Sequence, residues 1–72
     1  MKENYYIAVD DGQHLDIFER RATVEEATVV FNETVAAGPE GRWEEVEIGY
    51  WDEDDEDCEM EPLIYHSFEE NN

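Results

Sequence analysis

Acidic residues outnumber basic residues by 22 to 4 in this chain of 72 residues, which gives a formal net charge of −18 at pH 7. Self-repulsion of this size destabilises a compact state, and a short chain has little core to offset it. Binding to nucleic acid requires a basic surface that neutralises phosphates, and binding to anionic lipid requires one as well. We therefore expect no direct contact with nucleic acid and none with a membrane.

The proportion of apolar residues indicates a folded protein. Hydrophobic residues make up 40% of the chain and aromatic residues 12%, whereas disordered acidic chains are poor in aromatic and β-branched residues. We therefore expect a single domain over residues 1–72. A domain of this length hides only about 60% of the surface of its unfolded chain, so a deep enzyme cleft and a catalytic activity are not expected.

Cysteine content and hydropathy bear on the compartment. The single cysteine, Cys58, cannot form an internal disulfide, and small secreted domains usually contain several. The N-terminus lacks an apolar signal segment, and no window approaches the roughly 18 consecutive apolar residues of a membrane span. These features favour a soluble protein in a reducing cytoplasm.

The N-terminal part of the chain has the pattern of a β-hairpin. Residues 4–10 alternate with the two-residue period of a strand, and residues 10–13 contain the Asp-Gly pair typical of tight turns. A second strand is predicted over residues 14–20. Its alternation places Ile17 on one face and Phe18 on the other.

A helix of about 14 residues is predicted next. Thr23 and Glu26 have the spacing of a capping box, which indicates a helix start, and Gly38-Pro39 is typical of a helix end. Between these signals, apolar side chains recur at helical spacing, namely Val24, Ala27, Phe31 and Val35.

Two further strands are predicted after the helix. Residues 43–51 are rich in strand formers; Glu45 and Glu47 point to one face of this third strand, and Trp51 joins them there. A last apolar run, residues 63–68, predicts a fourth strand, and residues 69–72 are expected to fray.

Residues 52–61, called the acidic segment below, join the last two strands. The segment contains eight acidic residues in ten, so it predicts a loop and not a core strand.

These elements give the order ββαββ and an α+β fold. We expect a four-stranded, mainly antiparallel sheet with the helix packed on one face. The helix should bury Phe31 and Val35 against strand residues that include Ile7, Ile17 and Ile48. The other face of the sheet is expected to be solvated and acidic.

Most of the charge lies in one stretch of the chain. Residues 40–61 contain twelve acidic residues and one basic residue, so they carry −11 of the −18. Glu45 and Glu47 are about 6.7 Å apart along a strand, and neighbouring strands and the loop can add carboxylates to reach a phosphate-like density. The candidate partner-binding residues are Glu44, Glu45, Glu47, Trp51, Asp52, Glu53, Asp54, Asp55, Glu56, Asp57, Glu59 and Glu61.

A dedicated metal site is not expected. With Asp52 as the first position of an EF-hand loop, Asp57 stands where glycine is required and Leu63 where a bidentate glutamate is required. His14, Cys58 and His66 show no zinc-ligand spacing. We expect no cofactor, and weak association with divalent cations stays open.

In type, these residues resemble the small acidic phage-encoded inhibitors that imitate DNA, among them anti-CRISPR and anti-restriction proteins and an inhibitor of uracil-DNA glycosylase. The shared features are small size, extreme negative charge, one cysteine or none, and acids displayed from a compact scaffold, here Glu44, Glu45, Glu47 and the acidic segment. The resemblance extends over the whole chain as composition. It implies that the protein binds the basic nucleic-acid-binding surface of a host defence protein and blocks DNA binding.

Two other functions stay open at this point. The chain could be an acidic protein-interaction or cation-binding module that binds a basic surface without imitating DNA. It could also be an ordinary domain with the surface charge of a halophile, although the concentration of −11 within 22 residues is unlike the even spreading expected there.

Overall fold

The computed structural model describes residues 2–68, and these form the predicted ββαββ order. The elements are β1 (Tyr5–Asp10), β2 (Leu15–Arg21), α1 (Val24–Ala37), β3 (Glu45–Tyr50) and β4 (Glu61–Ser67). The four strands form one sheet in the order β2-β1-β3-β4, with every neighbouring pair antiparallel. The α+β prediction is therefore confirmed. The fraying predicted for residues 69–72 lies outside the described residues.

The turn between β1 and β2 is held by aspartate side chains. Asp10 Oδ1 accepts a hydrogen bond from the N–H of Gly12 at 2.7 Å, and Asp11 Oδ1 accepts from the N–H groups of Gln13 and His14 at 2.9 and 2.8 Å. Gly12 has a φ of 93°, a conformation that costs glycine little. The predicted hairpin is confirmed.

A β-bulge in β2 changes which of its side chains face α1. The register with β1 shifts between Ile7 and Ala8, so that Ala8 pairs with Ile17 and Phe18 is the extra residue. Ile17 therefore shares the face of Ala8, away from α1. Phe18 lies on the helix side, where its ring stacks on Trp43 with centroids 6.3 Å apart. The prediction that the helix buries Ile17 was wrong, because one extra residue inverts the alternation of a strand.

α1 is capped at the predicted residues, although Glu26 contacts the Thr23 hydroxyl and not the Thr23 N–H of a full capping box. The Thr23 hydroxyl oxygen accepts from the N–H of Glu26 at 3.2 Å, and the same hydroxyl donates to the Glu26 carboxylate at 3.1 Å. At the other end, the N–H of Gly38 donates to the carbonyl oxygens of Thr34 and Val35, both at 3.2 Å. Gly38 has a φ of 86°, which ends the helix.

The core lies between α1 and the two central strands. Ile7 and Ile48 are fully buried neighbours on β1 and β3, and Phe31 of α1 packs against them. Val35 is half-buried at the margin of this cluster. The predicted core is thus confirmed except for Ile17. Its buried members are Ile7, Val9, Ala27, Phe31, Val46 and Ile48.

The sheet face opposite α1, called the outer face below, is not fully solvated as predicted. Tyr6 and Ala8 have no exposed surface there. The ring of Tyr6 lies over Gly49, its cross-strand partner, where an added Cβ would overlap the phenol ring. Glycine at this position leaves the room in which a tyrosine is buried on the outer face.

Candidate protein-interaction surface

β3 distributes the candidate carboxylates along a line instead of gathering them into one cluster. Glu44 and Glu45 lie at its N-terminal end, Glu47 lies in its middle on the outer face, and the acidic segment follows its C-terminal end. Since a strand rises about 3.3 Å per residue, the strand between the two end groups spans about 17 Å. The surface is therefore long and narrow.

The first group also includes two aspartates of the predicted β1–β2 turn, Asp10 and Asp11. The N–H of Glu44 donates to the carbonyl oxygen of Asp10 at 2.7 Å, and Glu45 lies directly opposite Asp10 across the β1–β3 pair. The Glu44 carboxylate lies beside Gly12, next to Asp11 in the turn. Asp10 and Asp11 therefore extend the acidic surface, a fact that depends on the pairing of β1 with β3.

Hydrogen bonds lower the pKa of one member of this group. The backbone N–H groups of Gln13 and His14 donate to the Asp11 carboxylate and hold its pKa below the usual range. Asp11 is therefore charged at neutral pH and below.

Glu47 is held in place by the buried tyrosine of the outer face. The Tyr6 hydroxyl donates to Glu47 Oε2 at 2.7 Å. Burial, and then the hydrogen bond to the neighbouring carboxylate, raise the pKa of Tyr6 far above its ordinary value. Tyr6 thus stays a neutral donor that fixes the Glu47 carboxylate at the middle of the line.

The acidic segment is built from two consecutive turns. The N–H of Asp55 donates to the carbonyl oxygen of Asp52 at 3.1 Å, and the N–H of Cys58 donates to that of Asp55 at 3.0 Å. Within each turn the first aspartate side chain accepts from the backbone two residues on, at 3.1 Å for Asp54 and 3.0 Å for Asp57. Aspartate repeated every three residues therefore folds the segment locally.

The cysteine closes these turns. The N–H of Asp52 donates to Cys58 Sγ at 3.3 Å, which joins the two ends of the double turn. Cys58 is half-buried and forms no disulfide. Its sulfur therefore serves here as a hydrogen-bond acceptor that holds the double turn together.

The geometry separates the carboxylates that accept the hydrogen bonds of the turns from those that take no part in the turns. Asp52 and Asp55 accept the turn hydrogen bonds. Glu61 is the first residue of β4, so the prediction that it belongs to the loop was wrong. The exposed carboxylates that accept no hydrogen bond from the turns are Glu53, Asp54, Glu56, Asp57 and Glu59.

Basic residues fasten the acidic segment to the body of the protein. Lys2 Nζ lies 2.7 Å from Asp52 Oδ1 and 3.2 Å from Asp54 Oδ2. These contacts raise the pKa of Lys2, and the hydrogen bond from Lys2 lowers the pKa of Asp52. Arg20 on β2 lies 3.8 Å from Glu53 and places its guanidinium 5.3 Å from the centre of the Trp51 ring.

Trp51 joins the segment to the sheet. Its N–H donates to the carbonyl oxygen of Asn4 at 2.9 Å, and its ring is half-buried beneath Arg20. Trp51 stays a predicted partner-binding residue, and the structure also makes it an anchor for the turn that follows.

The carboxylates do not converge on a point. Within residues 2–68, no group of three or more histidine, cysteine, aspartate or glutamate side chains could hold a metal ion. In the same part of the chain, no helix is long and apolar enough to cross a membrane.

Comparison with known proteins gave no match: no family model, no curated protein and no solved structure is similar to this chain.

Proposed function

We propose that this protein is a DNA-mimic inhibitor. In this proposal it binds the basic nucleic-acid-binding surface of a host defence protein, of the kind that anti-CRISPR or anti-restriction proteins inhibit, in the cytoplasm of the host cell. Bound there, it prevents DNA from binding. It uses no cofactor and catalyses no reaction.

The observation that carries the proposal is a long acidic surface on a backbone that is held by turns and ion pairs. The molecule measures 41 × 24 × 17 Å, and thirteen of the twenty acidic residues within 2–68 belong to this surface. Spread over the longest axis they amount to about one carboxylate every 3 Å, comparable with the one charge per about 3.4 Å along each strand of duplex DNA. Turns and ion pairs hold the acidic segment in place, so little entropy is lost when it binds.

The structure also contains a pair of like charges that lowers its own stability. Asp10 and Glu45 lie directly opposite each other on the outer face, and like charges in that position are destabilising. A surface that only had to keep the protein soluble could place these acids apart. Their juxtaposition supports a function that requires high local charge density.

The test is displacement of DNA from purified defence proteins. Fluorescently labelled duplex DNA is bound to each member of a panel of CRISPR effector complexes and restriction enzymes, and the chain is added. We expect it to release DNA from at least one of them. Both its own affinity and that of DNA should fall in parallel as salt rises, because both depend on the same basic surface.

Two matched variants locate the effect. The first changes Glu53, Asp54, Glu56, Asp57 and Glu59 to their amides; the second makes the same change at Glu3, Asp16, Glu25, Glu33 and Glu40, which lie outside the proposed surface. Both variants lose five negative charges. We expect the first to weaken inhibition by at least about tenfold and the second to weaken it much less.

Two results would contradict the proposal. One is that DNA already bound to the target leaves the affinity of the chain unchanged. The other is that the first variant inhibits as well as the unmodified protein. An acidic module that binds a basic partner elsewhere would give the first of these results.

A further inference from the structure

The two edges of the sheet are built differently. The edge strand β2 contains the bulge at Phe18 and four charged residues, Asp16, Glu19, Arg20 and Arg21. Bulges and charges on an edge strand are the usual means of preventing another strand from pairing with it. The β2 edge is therefore protected.

β4 also has a bulge, at Leu63, together with Glu61 and Pro62, but all three lie at its N-terminal end. Residues 64–67 pair with β3 without a further register shift and contain no charged residue. Residues 62–68 form the longest run without a charged residue in the chain, with histidine counted as neutral. All seven residues of β4 are exposed, including Leu63 at 46%, Ile64 at 44% and Tyr65 at 67%. In a chain of which 36% is charged, this apolar edge strand stands apart from the rest of the surface.

The backbone of β4 can accept a further strand. Among residues 2–68, β4 pairs with β3 on one side only. The N–H of Phe68 donates to the carbonyl oxygen of Glu44 at 2.8 Å, which sets the alternation of the β3–β4 ladder. In an antiparallel ladder the backbone groups of alternate residues point to opposite sides, so those of Tyr65 point to the free edge.

We propose that β4 is a docking edge for a β-strand of the protein target, one in which lysine or arginine side chains alternate with apolar ones. The strand pairs with β4 and extends the sheet to a fifth strand. This inference rests on the proposed function for the basic character of the target, and it adds the means by which the target is held after charge has brought the two proteins together.

The charges around β4 favour a basic strand. On the outer face Tyr65 lies beside Glu47, so a residue opposite Tyr65 on the added strand would be about 10 Å from Glu47. A lysine or arginine there can lie over the Tyr65 ring and reach towards the carboxylate. On the helix side, an apolar residue of the added strand can cover Ile64, which pairs with the buried Ile48.

The same charges disfavour a second copy of this chain as the occupant. A second copy would bring a further net charge of −18 and an identical acidic segment to the same edge. Repulsion between two such acidic surfaces opposes pairing, whereas a strand that bears lysine or arginine is attracted to the acidic surface.

The proposal is tested by titrating the isotope-labelled full chain with a short capped peptide of alternating lysine and valine, followed by NMR. A second peptide of the same composition, with the lysines and valines in separate blocks, controls for charge. We expect the alternating peptide to bind at least about tenfold more tightly. It should shift the β4 amides and slow hydrogen exchange at Tyr65.

Two substitutions of equal charge test the position of the site. Tyr65→Lys places a cation on the docking edge, while Val29→Lys places one on α1 at a valine that is 58% exposed. We expect Tyr65→Lys to abolish the preference for the alternating peptide and Val29→Lys to leave it unchanged. Because both side chains are exposed, circular dichroism should show that both variants are folded.

Three results would overturn the inference. In the first, both peptides bind with equal affinity and shift only the amide signals of the acidic segment. In the second, Tyr65→Lys and Val29→Lys have the same effect on the preference for the alternating peptide. In the third case the free chain sediments as a dimer that Tyr65→Lys dissociates, which would show that a second copy covers β4. If the chain displaces DNA but shows no preference for the alternating peptide, only this inference is refuted. If the alternating peptide binds as expected but the chain displaces no DNA, only the proposed function is refuted.

Discussion

Tyr6 links the buried part of the outer face to the acidic surface. Its hydroxyl donates to Glu47 at 2.7 Å. Replacing it with phenylalanine leaves the carboxylate without this donor, and a hydrogen bond to a charged group contributes about 1.5–3 kcal/mol. We expect Tyr6→Phe to lower the free energy of unfolding in urea by about this amount. Tyr65→Phe, at a tyrosine 67% exposed, should have no effect.

Because the pKa of Tyr6 is raised, the effect of Tyr6→Phe on stability should depend on pH. Above about pH 10, tyrosine in the unfolded chain loses its proton, while Tyr6 in the folded protein keeps its own. The folded state then binds more protons, so stability falls as pH rises. We expect the difference between the unmodified protein and Tyr6→Phe to shrink from pH 9 to pH 11. A constant difference would show that Tyr6 titrates normally.

The sequence could predict where Tyr6 points but not that it is buried. Alternation in residues 4–10 placed it on the face away from α1. Its burial depends on Gly49, which lies opposite it only in the register that β1 and β3 adopt. The inclusion of Asp10 in the acidic surface depends on the same register. Pairings between distant strands leave no local pattern in a single sequence.

At the scale of the elements, removal of the N-cap of α1 tests whether Thr23 stabilises the start of the helix. Thr23→Ala removes the acceptor for the N–H of Glu26, and loss of such a cap costs about 1 kcal/mol. Thr28→Ala serves as the control, because the Thr28 hydroxyl donates to the Val24 carbonyl within the helix and alanine has the higher helix propensity. Urea unfolding should show a loss for Thr23→Ala and none for Thr28→Ala. Equal losses would mean that the cap has no special role.

The element boundaries show which signals are readable from one sequence. α1 was predicted because two caps and a periodic apolar stripe agree. The bulges in β2 and at the β3–β4 pair were not predicted, because a single extra residue in a short strand leaves no change of period. The first bulge moves Ile17 from the predicted core to the outer face. The acidic segment was correctly predicted to contain no strand up to Met60. Its double turn was not predicted, although it depends on the three-residue spacing of Asp52 and Asp55.

At the scale of the whole molecule, the ion pairs stabilise the fold and repulsion among the acidic residues destabilises it. Lys2 and Arg20 form ion pairs with the acidic segment, and exposed pairs of this kind contribute little to stability because solvent and salt screen them. Against them stand 22 acidic residues on a domain with a small core. Because the acidic residues far outnumber the ion pairs, we expect repulsion to dominate.

Added salt should therefore stabilise the protein. The Debye length falls from about 30 Å at 0.01 M to about 8 Å at 0.15 M, which screens repulsion across the acidic surface. We expect the melting temperature to rise over this range. The variant with amides at Glu53, Asp54, Glu56, Asp57 and Glu59 should show a smaller rise than the variant neutralised at the five sites elsewhere, although both have the same net charge. Choline chloride should act like sodium chloride, because screening needs no bound cation. A melting temperature that falls with salt would show that the ion pairs of Lys2 and Arg20 outweigh the repulsion.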